Sequence, residues 1–331
     1  MKHLLVALSV LLLGPSLASA QRTHVLIVSG ISGEPRFATQ WDAWAQQLAG
    51  GLQASGVAAA DIVRLGEQAG PGGRRSTKEG IGAEFLRIAS AAGASDQVLL
   101  VFFGHGSGDR EGVRLNLPGP DLTGRELAVM LQAFQSQRVI VVNAASASGG
   151  FLEPLAAANR VVVTATRSEA QNNETIFGGH FAAAFTGGSA DTDKDGRVSL
   201  LEAFTYARLE VERAYSSTNR MRAEHALLDA DGDGSGTVEP AAGDGDGRVA
   251  STIFFGASTR SAVAAEDAPA NASPELRALY ERRTELQAAV DAVRARRDTM
   301  PAERYEAELE RLLVELATTN QSIRRMEGGG R

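Results

Sequence analysis

A short acidic stretch, DTDKDGRVSLLE at residues 191–202, has the residue types and spacing of a calcium loop. The expected oxygen ligands, at loop positions 1, 3, 5, 7, 9 and 12, are Asp191, Asp193, Asp195, the Arg197 carbonyl, Ser199 directly or through water, and Glu202. Gly196 at position 6 permits the sharp turn of such a loop. Since aspartates this close together repel one another without a cation, the pattern predicts bound Ca²⁺ rather than a solvated acidic turn.

This stretch resembles the loop of an EF-hand, but its flanks depart from that motif. A helical pattern leaves the loop from Leu200, whereas the entering segment at 178–185 ends at Gly187 and Gly188, before the loop begins. We therefore expect a half-formed hand that fastens the fold together, rather than a sensor that opens on binding calcium.

A second acidic zone, at residues 227–250, repeats the beginning of the pattern. Pro240 stands at the position of the closing glutamate. The carboxylates that a second calcium ion would use are Asp229, Asp231, Asp233, Asp244 and Asp246. A second calcium site and a flexible acidic loop both remain open at this point.

A histidine and a serine end two of the most apolar runs in the chain. His105 follows QVLLVFFG between two glycines, and Ser146 follows RVIVVNAA just before Gly149. Ligands of open α/β sheets collect at the carboxyl ends of parallel strands, so both side chains are candidates for one reaction centre. From spacing alone, a turn histidine and a helix-capping serine are the more ordinary explanation of these residues.

The elements that would position these residues alternate between strand and helix. Apolar runs predict strands at 23–30, 61–67, 97–106, 138–146 and 160–168, and helical spacing predicts helices at 36–56, 76–93, 123–137 and 199–217. Residues 111–119 read as an excursion outside the sheet. Strands apolar on both faces and separated by helices indicate an α/β fold with a mainly parallel, doubly wound sheet.

Three ordered motifs, LLVFFGHGSGD, RVIVVNAASASGGF and RVVVTATRSEAQN, resemble the core of the legumain-like peptidases of the caspase-like clan over residues 22–186. The resemblance implies a caspase-like three-layer fold. It also implies that His105 takes the place of the catalytic histidine, Gly106 that of the oxyanion-side glycine, and Ser146 that of the nucleophilic cysteine.

The sequence departs from this family at its centre, because it contains 0 Cys and has Ser146 at the nucleophile position. A serine hydroxyl needs a base within hydrogen-bond reach, whereas a thiol ionises readily. Ala144 also stands where the family has an acidic residue. We expect a catalytically inactive relative that acts in binding a peptide or protein; the alternative is an active Ser/His hydrolase stabilised by calcium.

The remaining segments predict export and a helical end. Residues 1–20 have the three regions of a signal peptide, and the apolar run is too short for a membrane anchor, so we expect a periplasmic or secreted protein without an integral membrane segment. A net charge of −7 and the lack of a basic, aromatic-rich segment disfavour nucleic acid as a partner.

The expected domains are an α/β domain at 21–190, an EF-hand-like region at 191–260, a linker at 261–273 and a helical hairpin at 274–331. The hairpin would pack on itself or self-associate through 274–326, or serve as a partner-docking arm.

Overall fold

The computed structural model describes residues 21–69, 74–109, 112–193, 195–256, 273–294 and 300–328. The predicted signal peptide at 1–20 and nearly all of the predicted linker at 261–273 lie outside the described residues. The chain divides into two compact units, with the boundary between Ala257 and Ser258. Each unit is described by itself below.

A six-stranded sheet forms the centre of the first unit, in the order β2-β1-β3-β7-β8-β9. The nine strands of the described chain are β1 Thr23–Ser29, β2 Ile62–Leu65, β3 Gln97–Phe103, β4 Gly106–Asp109, β5 Gly112–Leu115, β6 Leu122–Thr123, β7 Arg138–Asn143, β8 Arg160–Thr164 and β9 Leu227–Asp229. All neighbours in the large sheet are parallel except β8 and β9. Strands β4, β5 and β6 form a small antiparallel sheet of their own.

Helices cover both faces of the large sheet. In chain order they are α1 Pro35–Ala54, α2 Lys78–Ala91, α3 Gly124–Met130, α4 Leu152–Leu155, α5 Phe177–Ala184, α6 Leu200–Ser217 and α7 Gly245–Ala250. One apolar core joins the sheet to α1, α5 and α6, and a second core on the opposite face joins it to α2, α3 and α4. Every residue of β3 is buried, as a strand covered on both faces requires. The predicted three-layer α/β fold is confirmed.

Two features of this unit were not visible in the sequence pattern. Strand β9 joins the edge of the sheet beside β8, with Val163 paired to Leu228. Helix α6 buries Leu200 and Phe204 in the same core as α1 and α5. The segment predicted as a separate region at 191–260 therefore shares its core with the α/β domain. The excursion at 111–119 does lie outside the large sheet, and its first part is β5.

The second unit consists of two helices, α8 Pro274–Arg294 and α9 Ala302–Gly328. Two small apolar clusters join them: Leu276 and Tyr280 contact Ile323, while Val290 and Val293 cluster with Leu312. These pairings run in opposite directions along the two helices, so the unit is an antiparallel hairpin. Within the described part of the chain, no helix has the length and hydropathy needed to span a membrane.

Candidate functional site

The loops that carry His105 and Ser146 leave the sheet side by side. Strand β3 ends at Phe103 and β7 ends at Asn143, and the two strands are paired in parallel with Phe102 opposite Asn143. The Ala144 amide then donates to the Phe102 carbonyl at 2.9 Å. The structure thus brings the two predicted loops together at the carboxyl edge of the sheet.

The hydroxyl of Ser146 is bound to the backbone of Gly106. Its Oγ donates to the Gly106 carbonyl at 3.1 Å and accepts from the Gly106 N–H at 3.0 Å. The side chain is buried, with 2% of Ser146 exposed. A Cβ at residue 106 would lie 2.3 Å from the Ser146 carbonyl oxygen, so only glycine fits there. Both the hydroxyl proton and the Gly106 amide are therefore already used.

The ring of His105 lies among aromatic side chains of α1. Its centroid is 4.6 Å from that of Phe37 and 5.0 Å from that of Trp41, in edge-to-face geometry. Burial lowers the pKa of His105 against the opposing pull of the Glu174 carboxylate, which favours the neutral imidazole. Among the described residues, no hydrogen bond joins His105 to Ser146, so the two predicted residues are neighbours without forming a nucleophile–base pair.

The backbone after Ser146 is held in an uncommon conformation. Ala147 is fully buried with φ +57°, in the left-handed region that alanine rarely adopts. Its amide donates to the Gln171 carbonyl at 2.8 Å. Next to it, the Ser148 hydroxyl accepts from the amides of Ala165 and Thr166 at 3.0 and 3.1 Å. The loop is thus fixed to the end of β8, and Ser148 has a structural role.

The first acidic loop gathers its three aspartates. Carboxylate oxygens of Asp191, Asp193 and Asp195 lie within 4.8 Å of one another. The turn is made by amides that donate to these carboxylates: Gly196 to Asp191 at 3.1 Å, Asp195 to Asp193 at 3.1 Å and Arg197 to Asp195 at 2.8 Å. Gly196 has φ +86°, as predicted for the sharp turn. Oxygen-rich clusters of this kind suit a hard cation such as Ca²⁺.

Glu202 closes the first loop from the start of α6. One carboxylate oxygen accepts from the Thr192 amide at 2.8 Å and, at 3.4 Å, from that of Asp193; the other accepts from the Ser199 hydroxyl at 2.9 Å. Burial would raise the pKa of Glu202, but its hydrogen bonds with Ser199 and Thr192 outweigh burial and lower it. The carboxylate is therefore ionised at neutral pH and stays next to the aspartates.

Other parts of this loop bind it to the rest of the domain. Ser199 caps α6 and forms a β-bridge with Phe254, and the Leu200 amide donates to the Ile253 carbonyl at 2.8 Å. The Arg197 guanidinium lies over the Phe254 ring at 3.8 Å. Burial raises the pKa of Asp195, and the nearby charges of Asp193 and Glu202 raise it further.

The second acidic zone repeats these hydrogen bonds one by one. The Gly234 amide donates to Asp229 at 2.9 Å, the Asp233 amide to Asp231 at 3.2 Å and the Ser235 amide to Asp233 at 2.6 Å. Asp229, Asp231 and Asp233 also bring carboxylate oxygens within 4.8 Å of one another. The zone is thus an ordered loop built on the plan of the first one.

Asp246 stands in the second loop where Glu202 stands in the first. It accepts from the Ala230 amide at 2.8 Å, from the Asp231 amide at 3.4 Å and from the Thr237 hydroxyl at 2.5 Å. The two amides and the hydroxyl occupy loop positions 2, 3 and 9, as Thr192, Asp193 and Ser199 do for Glu202. Asp244 instead caps α7, accepting from Gly247 and Ala241 at 2.6 Å each. The structure therefore separates the two aspartates that the sequence grouped.

Glu224, a buried carboxylate that no sequence pattern predicted, binds the backbone at the start of α5. Glu224, with 2% exposed, accepts from the amides of Ile176 and Phe177 at 3.0 to 3.1 Å, at the start of α5. Burial raises the pKa of Glu224 to about 7. Just before these amides, the Thr175 hydroxyl donates to the Ala144 carbonyl at 2.6 Å. Glu224 is thus connected to the loop that carries Ser146 through residues 175–177. In the sequence, Glu224 is an acidic residue in a segment without helix or strand periodicity, so no pattern marks it.

Comparison with known proteins bears on the first unit. Residues 80–224 match the model of the peptidase C13 family. Caspase-1 from Spodoptera frugiperda aligns at 11% identity, covering 64% of this chain and 87% of its own, with a TM-score of 0.43. A protein from Geobacter sulfurreducens aligns at 13% identity, covering 71% of this chain and 99% of its own, with a TM-score of 0.46. No curated protein matches the sequence. The segment that matches the peptidase C13 model contributes three strands to the mainly parallel α/β sheet, and over this segment the chain is similar to that family.

Proposed function

We propose that this chain is an exported calcium-binding protein built on a catalytically silent peptidase scaffold. The observation that carries the proposal is the match between six hydrogen bonds in each acidic loop, three within the turn and three to the closing carboxylate. A single acidic turn is commonplace, but two loops of one plan, each closed by a further carboxylate, are what a divalent cation with 6 to 8 oxygen ligands requires.

The ligands that we propose for each loop are the oxygen atoms at its calcium-loop positions, together with the closing carboxylate. In the first loop they are Asp191, Asp193, Asp195, the Arg197 carbonyl, Ser199 and Glu202. In the second loop they are Asp229, Asp231, Asp233, the Ser235 carbonyl, Thr237 and Asp246. Since an aspartate side chain is shorter than that of glutamate, we expect the second site, closed by Asp246, to bind calcium more weakly than the first.

Calcium would stabilise the domain rather than open it. The first loop lies between α5 and α6 and is bridged to Phe254, while the second lies between β9 and α7. Leu200, at the exit of the first loop, and Leu228, at the entrance of the second, are both fully buried in the core of the sheet. An ion in either loop would therefore tie the last elements of the domain to its core, which a protein with 0 Cys cannot do with disulfides.

Catalytic silence is supported by the way Ser146 is held. A serine nucleophile must give its proton to a base at about 2.6 to 3.2 Å. Here the hydroxyl donates to the Gly106 carbonyl, and the ring of His105 packs against Phe37 and Trp41. The hydroxyl also takes the Gly106 amide, which an oxyanion would need.

We propose that the carboxyl edge of the sheet retains a binding role, with an extended peptide or a protein segment as its ligand. The family to which the chain is related is named for peptidases, whose ligands are peptides. Ser146 and Ala147 are both buried there, with 2% and 0% exposed, so the loop that surrounds them would have to meet such a ligand. The alternative, a Ser/His hydrolase stabilised by calcium, needs His105 to turn away from its aromatic neighbours onto the Ser146 hydroxyl.

Thermal unfolding with calcium and with chelator tests the proposed function. Because an ion that binds only the folded state adds stability with its concentration, calcium at 100 times its Kd contributes about 2.7 kcal/mol. We expect a rise in Tm in millimolar calcium, and Glu202→Gln should reduce it. Identical melting curves of the wild type with calcium and with chelator would contradict calcium binding.

A further inference from the structure

Helix α9 carries a second seam beside the face that packs on α8. The packed face contains Leu309, Leu312 and Ile323. The second seam consists of residues spaced 4, 3, 4, 3 and 4 apart, namely Glu306, Glu310, Leu313, Ala317, Asn320 and Arg324. Leu313 is 41% exposed, and the neighbouring Val314 is 60% exposed. This spacing keeps one set of side chains on a single helix face and is the repeat by which helices pair.

The seam is complementary to itself when read in the opposite direction. Its acidic residues, Glu306 and Glu310, lie in the first half, and its basic residue, Arg324, lies at the end. In an antiparallel pair of identical helices, Leu313 of each helix lies opposite Ala317 of the other. The same register sets Glu306 opposite Arg324 and Glu310 opposite Asn320, so each member of the seam meets a suitable partner.

A parallel pair of the same helices would have the opposite electrostatics. Glu306 would then lie against its own copy, as would Glu310 and Arg324, and like charges at a helix interface are unfavourable. The charge pattern therefore favours a second copy of α9 as the partner helix, and an antiparallel orientation of the pair. A second copy of this chain provides a partner residue for every member of the seam, so no other protein is needed.

We propose that two copies of this chain associate through an antiparallel, two-fold pairing of this seam on α9, with the axis passing between Leu313 and Ala317. A two-fold interface uses the same patch on both subunits, which the self-complementary order of the seam satisfies. The apolar centre is short, consisting of Leu313, Val314 and Ala317, so the dimer forms and separates with protein concentration. This inference does not depend on calcium binding or on the state of Ser146.

The lack of native cysteine allows a direct test by disulfide trapping in the full-length protein. Glu306→Cys chains are mixed with Arg324→Cys chains under mild oxidation. We expect cross-linked dimers in the mixture and few with either variant alone, because equivalent positions 18 residues apart along the antiparallel helices are separated by about 27 Å. Glu281→Cys, at an exposed position on α8, gives the rate of random collision.

Two results would overturn the antiparallel pairing. Cross-linking of Glu306→Cys with itself, at the rate of the mixture, would mean a parallel pair. Equal rates in all samples, including the Glu281→Cys control, would mean that the seam is not an interface at all.

Charge reversal in uncross-linked protein provides an independent measurement. Sedimentation velocity should show weaker dimerisation for Glu306→Arg and for Arg324→Glu, and recovery when both changes are in one chain. Leu313→Glu should give a monomer at concentrations where the wild type is dimeric, with an unchanged circular dichroism spectrum. A wild type that stays monomeric up to several hundred micromolar would refute the proposal.

Discussion

Asp246 accepts a hydrogen bond from the Ala230 amide at 2.8 Å, the distance at which Glu202 accepts from the Thr192 amide in the first loop. The two pairs differ in sequence separation, which is 16 for Ala230 and Asp246 and 10 for Thr192 and Glu202. A carboxylate delivered by the separate helix α7 thus stands in for the closing residue of a continuous loop.

The role of Asp246 can be separated from that of its neighbour Asp244. We expect Asp246→Asn to lower calcium affinity at the second loop at least tenfold, because it removes a charge from the ligand set. Asp244→Asn is the matched control, since asparagine caps a helix about as well as aspartate and α7 is preserved. Calcium titration calorimetry measures both variants. Equal losses in both, or no loss in Asp246→Asn, would exclude Asp246 as the closing ligand.

Glu224 should make stability depend on pH near neutrality. Its folded pKa of about 7 lies above the ordinary value of 4.5, so the folded state holds the proton more tightly than the unfolded state. This contribution is fully present below pH 4.5 and is lost as the pH rises through 7. The full change is on the order of 3 kcal/mol, from 1.36 kcal/mol for each pH unit between the two values.

Replacement by glutamine isolates the effect of Glu224. Urea unfolding of the wild type and of Glu224→Gln at pH 5.5 to 8, with calcium at saturating concentration, gives the difference in stability between them. We expect the wild type to lose stability relative to the variant as the pH rises through 7. A difference that stays constant over this range would mean that Glu224 does not titrate there.

The state of Ser146 determines how the protein responds to serine-directed reagents. We expect no labelling of the wild type by a fluorophosphonate, because the hydroxyl is buried and bound to Gly106. Ser146→Ala is the matched control, and both proteins should give the same background. Labelling of the wild type that disappears in Ser146→Ala would establish the hydrolase alternative.

The first unit should fold without the hairpin. A fragment ending at Ala270 keeps both acidic loops and all of the large sheet, since the unit boundary lies at Ala257. We expect this fragment to be soluble and to show the calcium-dependent rise in Tm of the full chain. A fragment that expresses only as unfolded protein, while the full chain is sound, would place the boundary elsewhere.

Local patterns in the sequence predicted much of the fold. Strands β1, β3, β7 and β8 are largely apolar on both faces, and the heptad-like spacing after residue 274 accounts for the pairing of α8 with α9. Strand β9 was not predicted because it has only three residues, Leu227–Asp229, directly before an acidic loop. A strand this short forms because β8 offers it an edge, and that is a tertiary cause.

The candidate site shows the same division between local and distant causes. The proposed calcium ligands from Asp191 to Glu202 could be predicted because they follow one another in a continuous loop. The place of Asp246 depends on the path of the chain after Pro240, and the place of the Ser146 hydroxyl depends on a glycine 40 residues away. Glu224 likewise acts on backbone amides at the start of α5, which no spacing rule connects to it.

The number of calcium ions bound per chain shows directly whether both acidic loops bind calcium. Equilibrium dialysis of chelator-treated protein against calcium, followed by elemental analysis, gives this number without any assumption about activity. We expect two ions for the wild type. At calcium concentrations that saturate only the unchanged loop, we expect one ion each for Glu202→Gln and for Asp246→Asn. A wild type that binds no calcium at millimolar concentration would contradict calcium binding by both loops.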